Sequence, residues 1–281
     1  MILIADSGST KSDWLLCDQD YNIIQEYNTK GFNPYFVDGE TIIRELQNSD
    51  FSKIRNQIKQ IYFYGSGCAL EEKKNIIKKH LKSFFLNSEI TIRHDLEASC
   101  YAFYKNKPNI TCILGTGSNS CFVENKETIH TKPSLGFLLG DEASGSFFGK
   151  KILQHYFNNK LTNDLKIELE SNFITDYKII IGKIYNNNRP NMFLAKYFPF
   201  VFQNKNNPII RDLINSALRD FFDLSIACFQ NHKDVKINFS GSVAFYLKKE
   251  IQELLDSKNC FLGDIIKTPL KELVNNHFKN K

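Results

Sequence analysis

Apolar residues along this chain fall into short runs that stop at glycine or small polar residues, interleaved with longer stretches of helical period. Ile2-Leu3-Ile4-Ala5 is a continuous apolar run, the pattern of a strand buried on both faces. It stops at Asp6-Ser7-Gly8-Ser9-Thr10-Lys11, and residues 14–17 and 21–27 read as the second and third strands of a meander. After the Gly31-Phe32-Asn33-Pro34 turn, residues 36–47 carry an amphipathic helical period, and residues 54–60 are short and polar-edged. A strand over 60–64 ends at Gly65-Ser66-Gly67-Cys68. Residues 71–86 place Ile76, Ile77, His80, Leu81 and Phe84 on or near one helix face. The next strand, 89–93, delivers His94-Asp95 into a helix over 96–104.

The second half repeats the opening. A strand over 111–114 runs into Gly115-Thr116-Gly117-Ser118-Asn119-Ser120, and strands over 121–125 and 127–131 return. A helix with a small-residue start is expected over 141–157, and residues 161–202 are mostly helical and aromatic-rich. A polar loop at 203–208 precedes a long amphipathic helix over 211–230. A strand over 235–239, a Ser240-Gly241-Ser242 turn and a helix over 243–255 follow, then a strand over 259–266 and a terminal helix over 270–278. Residues 105–109, with their proline, mark the crossing between halves. The expectation is an α/β, two-lobed chain with an interlobe cleft. One lobe is residues 1–106, joined by the terminal helix 268–281, and the other is residues 107–267.

Composition narrows the class. A chain of 281 residues, 42% hydrophobic and 24% charged, is that of an ordinary globular protein with material for two cores. The net charge of +5 comes from thirty lysines and six arginines, dispersed as in Lys73-Lys74 and Lys78-Lys79. Specific nucleic-acid contacts favour arginine forks, so no nucleic-acid partner is expected. The seven cysteines are odd in number and form no C-x-x-C pair. They read as small hydrophobes in a reducing, cytoplasmic compartment, without disulfides or structural zinc. No secretory segment or membrane-spanning run is visible, so no membrane partner is expected.

The chemistry gathers at the glycine turns. Gly8 lets backbone approach a ligand, successive N–H groups form an anion-binding concavity, and Ser9, Thr10 and Lys11 add donors. Asp6 at the strand end can hold a metal ion through water. Carboxylate, turn, hydroxyls and lysine are together what a nucleotide phosphate with Mg²⁺ requires. Each of these also has a plainer role: a β-hairpin turn for the glycine and serines, a turn cap for Asp6. The second turn, Gly115-Thr116-Gly117, would make a facing phosphate clamp. Thr116, three residues before Asn119 on the same turn, would serve phosphate.

Four segments carry a resemblance. DSGSTKSD at 6–13 is similar to the first phosphate motif, and LGTGSNS at 114–120 to the second, of the sugar kinase/Hsp70/actin superfamily. GFLLGDEASGSFFG at 136–149 and NFSGSVA at 238–244 resemble that family's glycine–GDE segment and adenosine motif. In this order, across nearly the whole chain, they look like the N-acetylglucosamine kinase branch grouped with the BadF/BadG/BcrA/BcrD ATPases. Ser7 stands where glycine is commoner and narrows the geometry of the turn.

The resemblance implies an actin-like ATPase fold of duplicated ribonuclease H-like domains. It implies an ATP:sugar phosphotransferase acting on the 6-hydroxyl of an N-acetylated amino sugar, with Mg²⁺ held by Asp6 through water. It places the catalytic aspartate at Asp95, which otherwise reads as a helix N-cap. His94 beside it is expected to point the other way and to be structural. Sugar contacts would come from Asn33, Ser66, Gly67, Asp95, Asn119, Gly136 and Asp141. Asn33 and Asp141 have alternative readings as a turn former and an N-cap. Gly241 and Ser242 would receive adenine, or form an ordinary strand-to-helix loop. A homodimer binding amino sugar and ATP is expected. N-acetylglucosamine is the first expected substrate and N-acetylmuramic acid the second. A BadF-type activator ATPase ranks lower, because it needs cysteines holding an iron–sulfur cluster, whereas GTGSNS stands where its cysteine–glycine segment would be.

Overall fold

Strand β1 (Ile2–Ser7) sets the frame of the first half. The computed structural model describes residues 1–186 and 189–279. The chain divides into two compact units, Met1–Asn106 with the segment from Thr268, and Lys107–Lys267.

In the first unit, β1 pairs antiparallel with β2 (Lys11–Cys17), which pairs antiparallel with β3 (Ile23–Lys30). Helices α1 (Gly39–Gln47) and α2 (Phe51–Ile54) and a 3₁₀ turn (Arg55–Gln57) lead to β4 (Gln60–Gly65), parallel to β1. Helix α3 (Glu71–Phe84) crosses to β5 (Glu89–His94), parallel to β4, and α4 (Asp95–Phe103) follows without a break. Strand order is β3-β2-β1-β4-β5. One sheet face packs on a core around Trp14, whose indole N–H donates to the Thr29 hydroxyl at 3.0 Å.

The second unit repeats this order as β8-β7-β6-β9-β10. Here β6 (Asn109–Leu114), β7 (Ser118–Val123) and β8 (Ile129–Thr131) form the antiparallel meander. Helices α5 (Gly136–Leu139), α6 (Gly145–Phe157), α7 (Asn163–Asn172), α8 (Tyr177–Tyr185), α9 (Pro190–Ala195), α10 (Phe198–Gln203) and α11 (Pro208–Phe221) follow. A π-helical turn (Phe222–Ile226) precedes β9 (Lys236–Ser240), parallel to β6. Helices α12 (Ser242–Tyr246) and α13 (Lys248–Ser257) lead to β10 (Phe261–Ile266), parallel to β9. The chain then re-enters the first unit as α14 (Leu270–Leu273) and a π-helical turn (Val274–Phe278), where Asn276 donates to the Ala102 carbonyl at 2.6 Å.

Several boundaries differ from the hydropathy pattern. β2 begins at Lys11 rather than residue 14, because backbone pairing of Ser7 with Ser12 and Asp6 with Asp13 extends the ladder through polar positions. β7 begins at Ser118 rather than residue 121 for the same reason, so Asn119 lies on a strand opposite Ile113 and not on the turn. The helix expected from residue 141 starts at Gly145 with Ser144 as N-cap, whose hydroxyl accepts the Phe147 amide. Asp141 and Ala143 precede it with left-handed φ of 58° and 56°, so Asp141 is not an N-cap. The helix expected over 243–255 breaks at the fully buried Leu247. The helix expected over 211–230 starts earlier, at Pro208, and passes into the π turn after Phe221.

Candidate functional site

In the first unit the register sets Ser7, Gly65 and His94 side by side at the ends of three parallel strands. The Asp6–Lys11 turn, the Gly65-Ser66-Gly67 loop and Asp95 therefore share one edge of the sheet, the carboxyl edge where α/β ligand sites collect. The turn is closed by the Gly8 amide donating to the Lys11 carbonyl at 3.0 Å. It is backed by Gly31, whose amide donates to Thr10 and where a β-carbon would meet the Gly8 carbonyl at 2.1 Å. Ser7 has a definite task here. Its buried hydroxyl accepts from the Phe32 amide at 3.0 Å and from Ser12 at 2.6 Å, which ties the strand end to the Gly31-Phe32 turn.

Asn33 organises three segments. Its amide nitrogen reaches the hydroxyls of Ser9 at 3.1 Å and Ser66 at 3.2 Å, and its oxygen accepts the Tyr35 amide. Gly67, at φ 79°, leaves room for that oxygen, which would lie 2.5 Å from a β-carbon. Asn33 is buried with its donors engaged, so a hydroxyl ligand would use its remaining lone pair or the two serines.

Electrostatics mark Asp6 out. Burial, then the carboxylates of Asp95 and Asp13, push its carboxyl up to about 8, with Lys11 opposing. Asp95 is the first residue of α4, and the N-cap is His94, contrary to the N-cap reading of Asp95. The His94 ring accepts the Leu96 amide, while Glu97 accepts the His94 amide and pairs with Arg93 at 2.6 Å. The turn from strand into helix interrupts the pleat, so His94 does not point away: its Nδ1 lies 3.2 Å from Asp95 Oδ1.

In the second unit the Gly115-Thr116-Gly117 turn sits between β6 and β7. The Gly115 amide donates to the Gly117 carbonyl at 2.9 Å. The start of α6 reaches back to this turn, with the Gly145 and Ser146 amides donating to the carbonyls of Gly115 and Thr116. Asp141 accepts the Ser118 amide at 3.1 Å. Gly241, at φ 111°, brings its backbone so near β6 that a β-carbon would lie 2.2 Å from the Leu114 carbonyl oxygen. Gly115, Thr116, Gly117, Asp141 and Gly241 are thus brought together, with Ser242 opening α12 beside them. Asn119 turns its side-chain oxygen onto the Ser120 amide at 2.8 Å. Gly136, at φ 67°, belongs to α5 and stands apart from these contacts.

Ser12, Arg93, Glu97 and Gly145 support these turns and were not singled out by the sequence. Only the spacing of Glu97 three residues after His94 resembles a capping-box signal.

The two sheets of identical strand order, each with a glycine turn after its first strand, define a two-domain α/β ATPase fold. No protein-family model matches the chain. A Porphyromonas gingivalis protein provisionally named N-acetylglucosamine kinase superimposes with a TM-score of 0.90 at 30% identity, covering 100% of this chain and 99% of that one. An N-acetylmuramic acid/N-acetylglucosamine kinase of Clostridium acetobutylicum is 23% identical over 275 residues, 89% of each chain. A ROK family glucokinase of Streptomyces griseus, solved with glucose and AMPPNP, shares the fold at a TM-score of 0.58 and 10% identity over 98% of each chain. This chain belongs to the sugar kinases of the actin-like ATPase superfamily. Among the described residues no helix is long and apolar enough to cross a membrane.

Proposed function

We propose that this chain is an ATP-dependent kinase of the N-acetylglucosamine kinase-like branch grouped with the BadF/BadG/BcrA/BcrD ATPases. It phosphorylates the 6-hydroxyl of an N-acetylated amino sugar, N-acetylglucosamine first. The observation that carries the reading is the crowding of Asp6, Asp13 and Asp95 at a strand edge that also presents a glycine turn with Ser9 and Thr10. Phosphoryl transfer needs that combination of an oriented acceptor, a proton-taking carboxylate and amide donors for phosphate.

In this reading Asp95 accepts the proton of the sugar hydroxyl, whose oxygen attacks the γ-phosphorus as ADP leaves. Backbone and hydroxyl donors of Gly8, Ser9, Thr10 and Lys11 in one unit, and Gly115, Thr116 and Gly117 in the other, bind phosphate. Gly241 and Ser242 bind adenine. Asn33, Ser66, Gly67, Asn119, Gly136 and Asp141 are the proposed sugar contacts. Asp6 fits a hydrated Mg²⁺ as a carboxyl at the end of β1, beside the glycine turn and near the carboxylates of Asp95 and Asp13. Bound there, Mg²⁺ would neutralise phosphate charge.

N-acetylmuramic acid is the second substrate, favoured by the name of the Clostridium acetobutylicum relative. The activator ATPase is disfavoured by the cysteines beside the second turn. Cys112 and Cys121 are fully buried, and burial holds the Cys112 thiol well above its ordinary pKa, away from the thiolate that a cluster needs. The test is ADP release with N-acetylglucosamine, N-acetylmuramic acid, N-acetylmannosamine and glucose. Turnover of an N-acetylated sugar well above glucose is expected. Equal turnover of glucose would overturn the amino-sugar reading. Light scattering checks the expected homodimer.

A further inference from the structure

We propose that Lys73 reads a carboxylate on the sugar, so that the site takes N-acetylmuramic acid, whose third carbon carries a lactyl ether, as well as neutral N-acetylglucosamine. This rests on the reading of Asn33, Ser66 and Gly67 as sugar contacts. Asn33 joins that group to Tyr35, whose amide donates to Asn33 Oδ1 at 3.0 Å. The Asn33 carbonyl accepts the Phe36 and Val37 amides at 2.9 and 3.0 Å, which turns the chain and fixes Tyr35 at the corner. A β-carbon on Gly67 would lie 3.1 Å from Tyr35 Cδ2. The Tyr35 ring therefore borders the proposed sugar contacts, and the residue is 56% exposed. Lys73 Nζ lies 4.8 Å from the centre of that ring.

Lys73 is poorly placed to stabilise its own helix. It lies in the first turn of α3, where a cation opposes the helix macrodipole. It pairs with Glu72 at 3.4 Å, but the Glu72 side chain is 76% exposed while that of Lys73 is 21% exposed. A pair with so solvated a carboxylate adds little. Glu71 is engaged by Lys74 at 2.7 Å. The Lys73 ammonium is thus held half-buried against an aromatic ring, at the border of the proposed sugar contacts. A lactyl ether adds one methyl and one carboxylate to the sugar. The Tyr35 ring offers apolar contact to the methyl, and Lys73 offers three donors and a charge to the carboxylate. N-acetylglucosamine has a neutral hydroxyl at that carbon and makes no demand on the cation. The phosphate goes to the same 6-hydroxyl in both sugars.

The test is calorimetric titration of N-acetylmuramic acid, its methyl ester and N-acetylglucosamine into wild type, Lys73→Met and Lys73→Arg, without ATP. Methionine keeps an unbranched apolar stem beside Tyr35 and removes the charge. Lys73→Met should lower the affinity for N-acetylmuramic acid relative to N-acetylglucosamine by roughly 10- to 100-fold. Lys73→Arg should restore most of that ratio. The methyl ester has the bulk without the charge, so it should bind wild type about as weakly as the free acid binds Lys73→Met. An unchanged ratio in Lys73→Met, or an ester that binds wild type as tightly as the acid, would overturn the proposal. ADP release by wild type is measured alongside. Turnover of N-acetylglucosamine without any binding of N-acetylmuramic acid would overturn the role of Lys73 alone. Turnover of neither sugar would overturn the amino-sugar kinase reading, and this proposal with it.

Discussion

Asp141 Oδ1 accepts the amide of Ser118 at 3.1 Å, and its Oδ2 lies 2.9 Å from where a β-carbon on Gly117 would stand. Asp141 therefore clamps the second glycine turn as well as being a proposed sugar contact. Asp141→Ala should leave the Ser118 amide unpartnered and weaken ATP and sugar binding alike, by roughly 1–3 kcal/mol each. Asp141→Asn keeps an acceptor and tolerates the left-handed backbone, so it should spare ATP binding. Calorimetric titration of each ligand separately distinguishes the two. A loss confined to sugar in Asp141→Ala would show that the clamp does not shape the phosphate turn.

Asp95 opens α4 as its first residue, with the cap supplied by His94. Asp95→Asn preserves shape and loses only a first-turn carboxylate, worth about 0.3–1 kcal/mol against the helix dipole. Turnover should nonetheless fall by roughly two to four powers of ten. Steady-state ADP release alongside a thermal melt checks both parts. Near-normal turnover would remove Asp95 as the base.

Asp6 has a pH signature in stability. Its carboxyl is pushed from 3.8 up to about 8, first by burial and then by Asp95 and Asp13. Between those values the native chain holds a proton that the unfolded chain has released, so stability falls as pH rises through the window. Asp6→Asn removes this dependence. Its stability advantage over wild type in Mg²⁺-free urea denaturation should widen from about pH 4 to about pH 8 and then level off. A constant difference would show that Asp6 is ionised throughout.

Two glycines of the second unit should respond oppositely to alanine. At Gly241 a β-carbon would meet the Leu114 carbonyl oxygen at 2.2 Å on a backbone of φ 111°. Gly241→Ala should cost roughly 3 kcal/mol or more. Gly182 lies within α8 with nothing near its missing β-carbon, so Gly182→Ala should stabilise by about 0.4–1 kcal/mol. Melting curves of the two variants check the contrast. A melt of Gly241→Ala at the wild-type temperature would mean that the β9–α12 turn can relax away from β6.

The sequence by itself determined the repeated strand–glycine–strand units, because buried strands must be apolar and tight turns need small residues. Their positions, at Asp6–Lys11 and Gly115–Gly117, follow from local chemistry alone. It also placed Asp95 at a strand-to-helix junction. Tertiary structure decided what hydropathy cannot encode. Polar Lys11, Ser12, Ser118 and Asn119 are strand residues, because ladder pairing uses backbone groups and is indifferent to the side chain. Asn33 became the hub joining Ser9 and Ser66, which lie 24 and 33 residues away in sequence. Asp141 reached across 23 residues to Ser118 rather than capping its own helix. His94 swung beside Asp95, since the pleat that would separate neighbouring side chains ends where the helix begins. Each of these depends on which segments the sheet register lays side by side, a long-range choice made by packing rather than by any local run of residues.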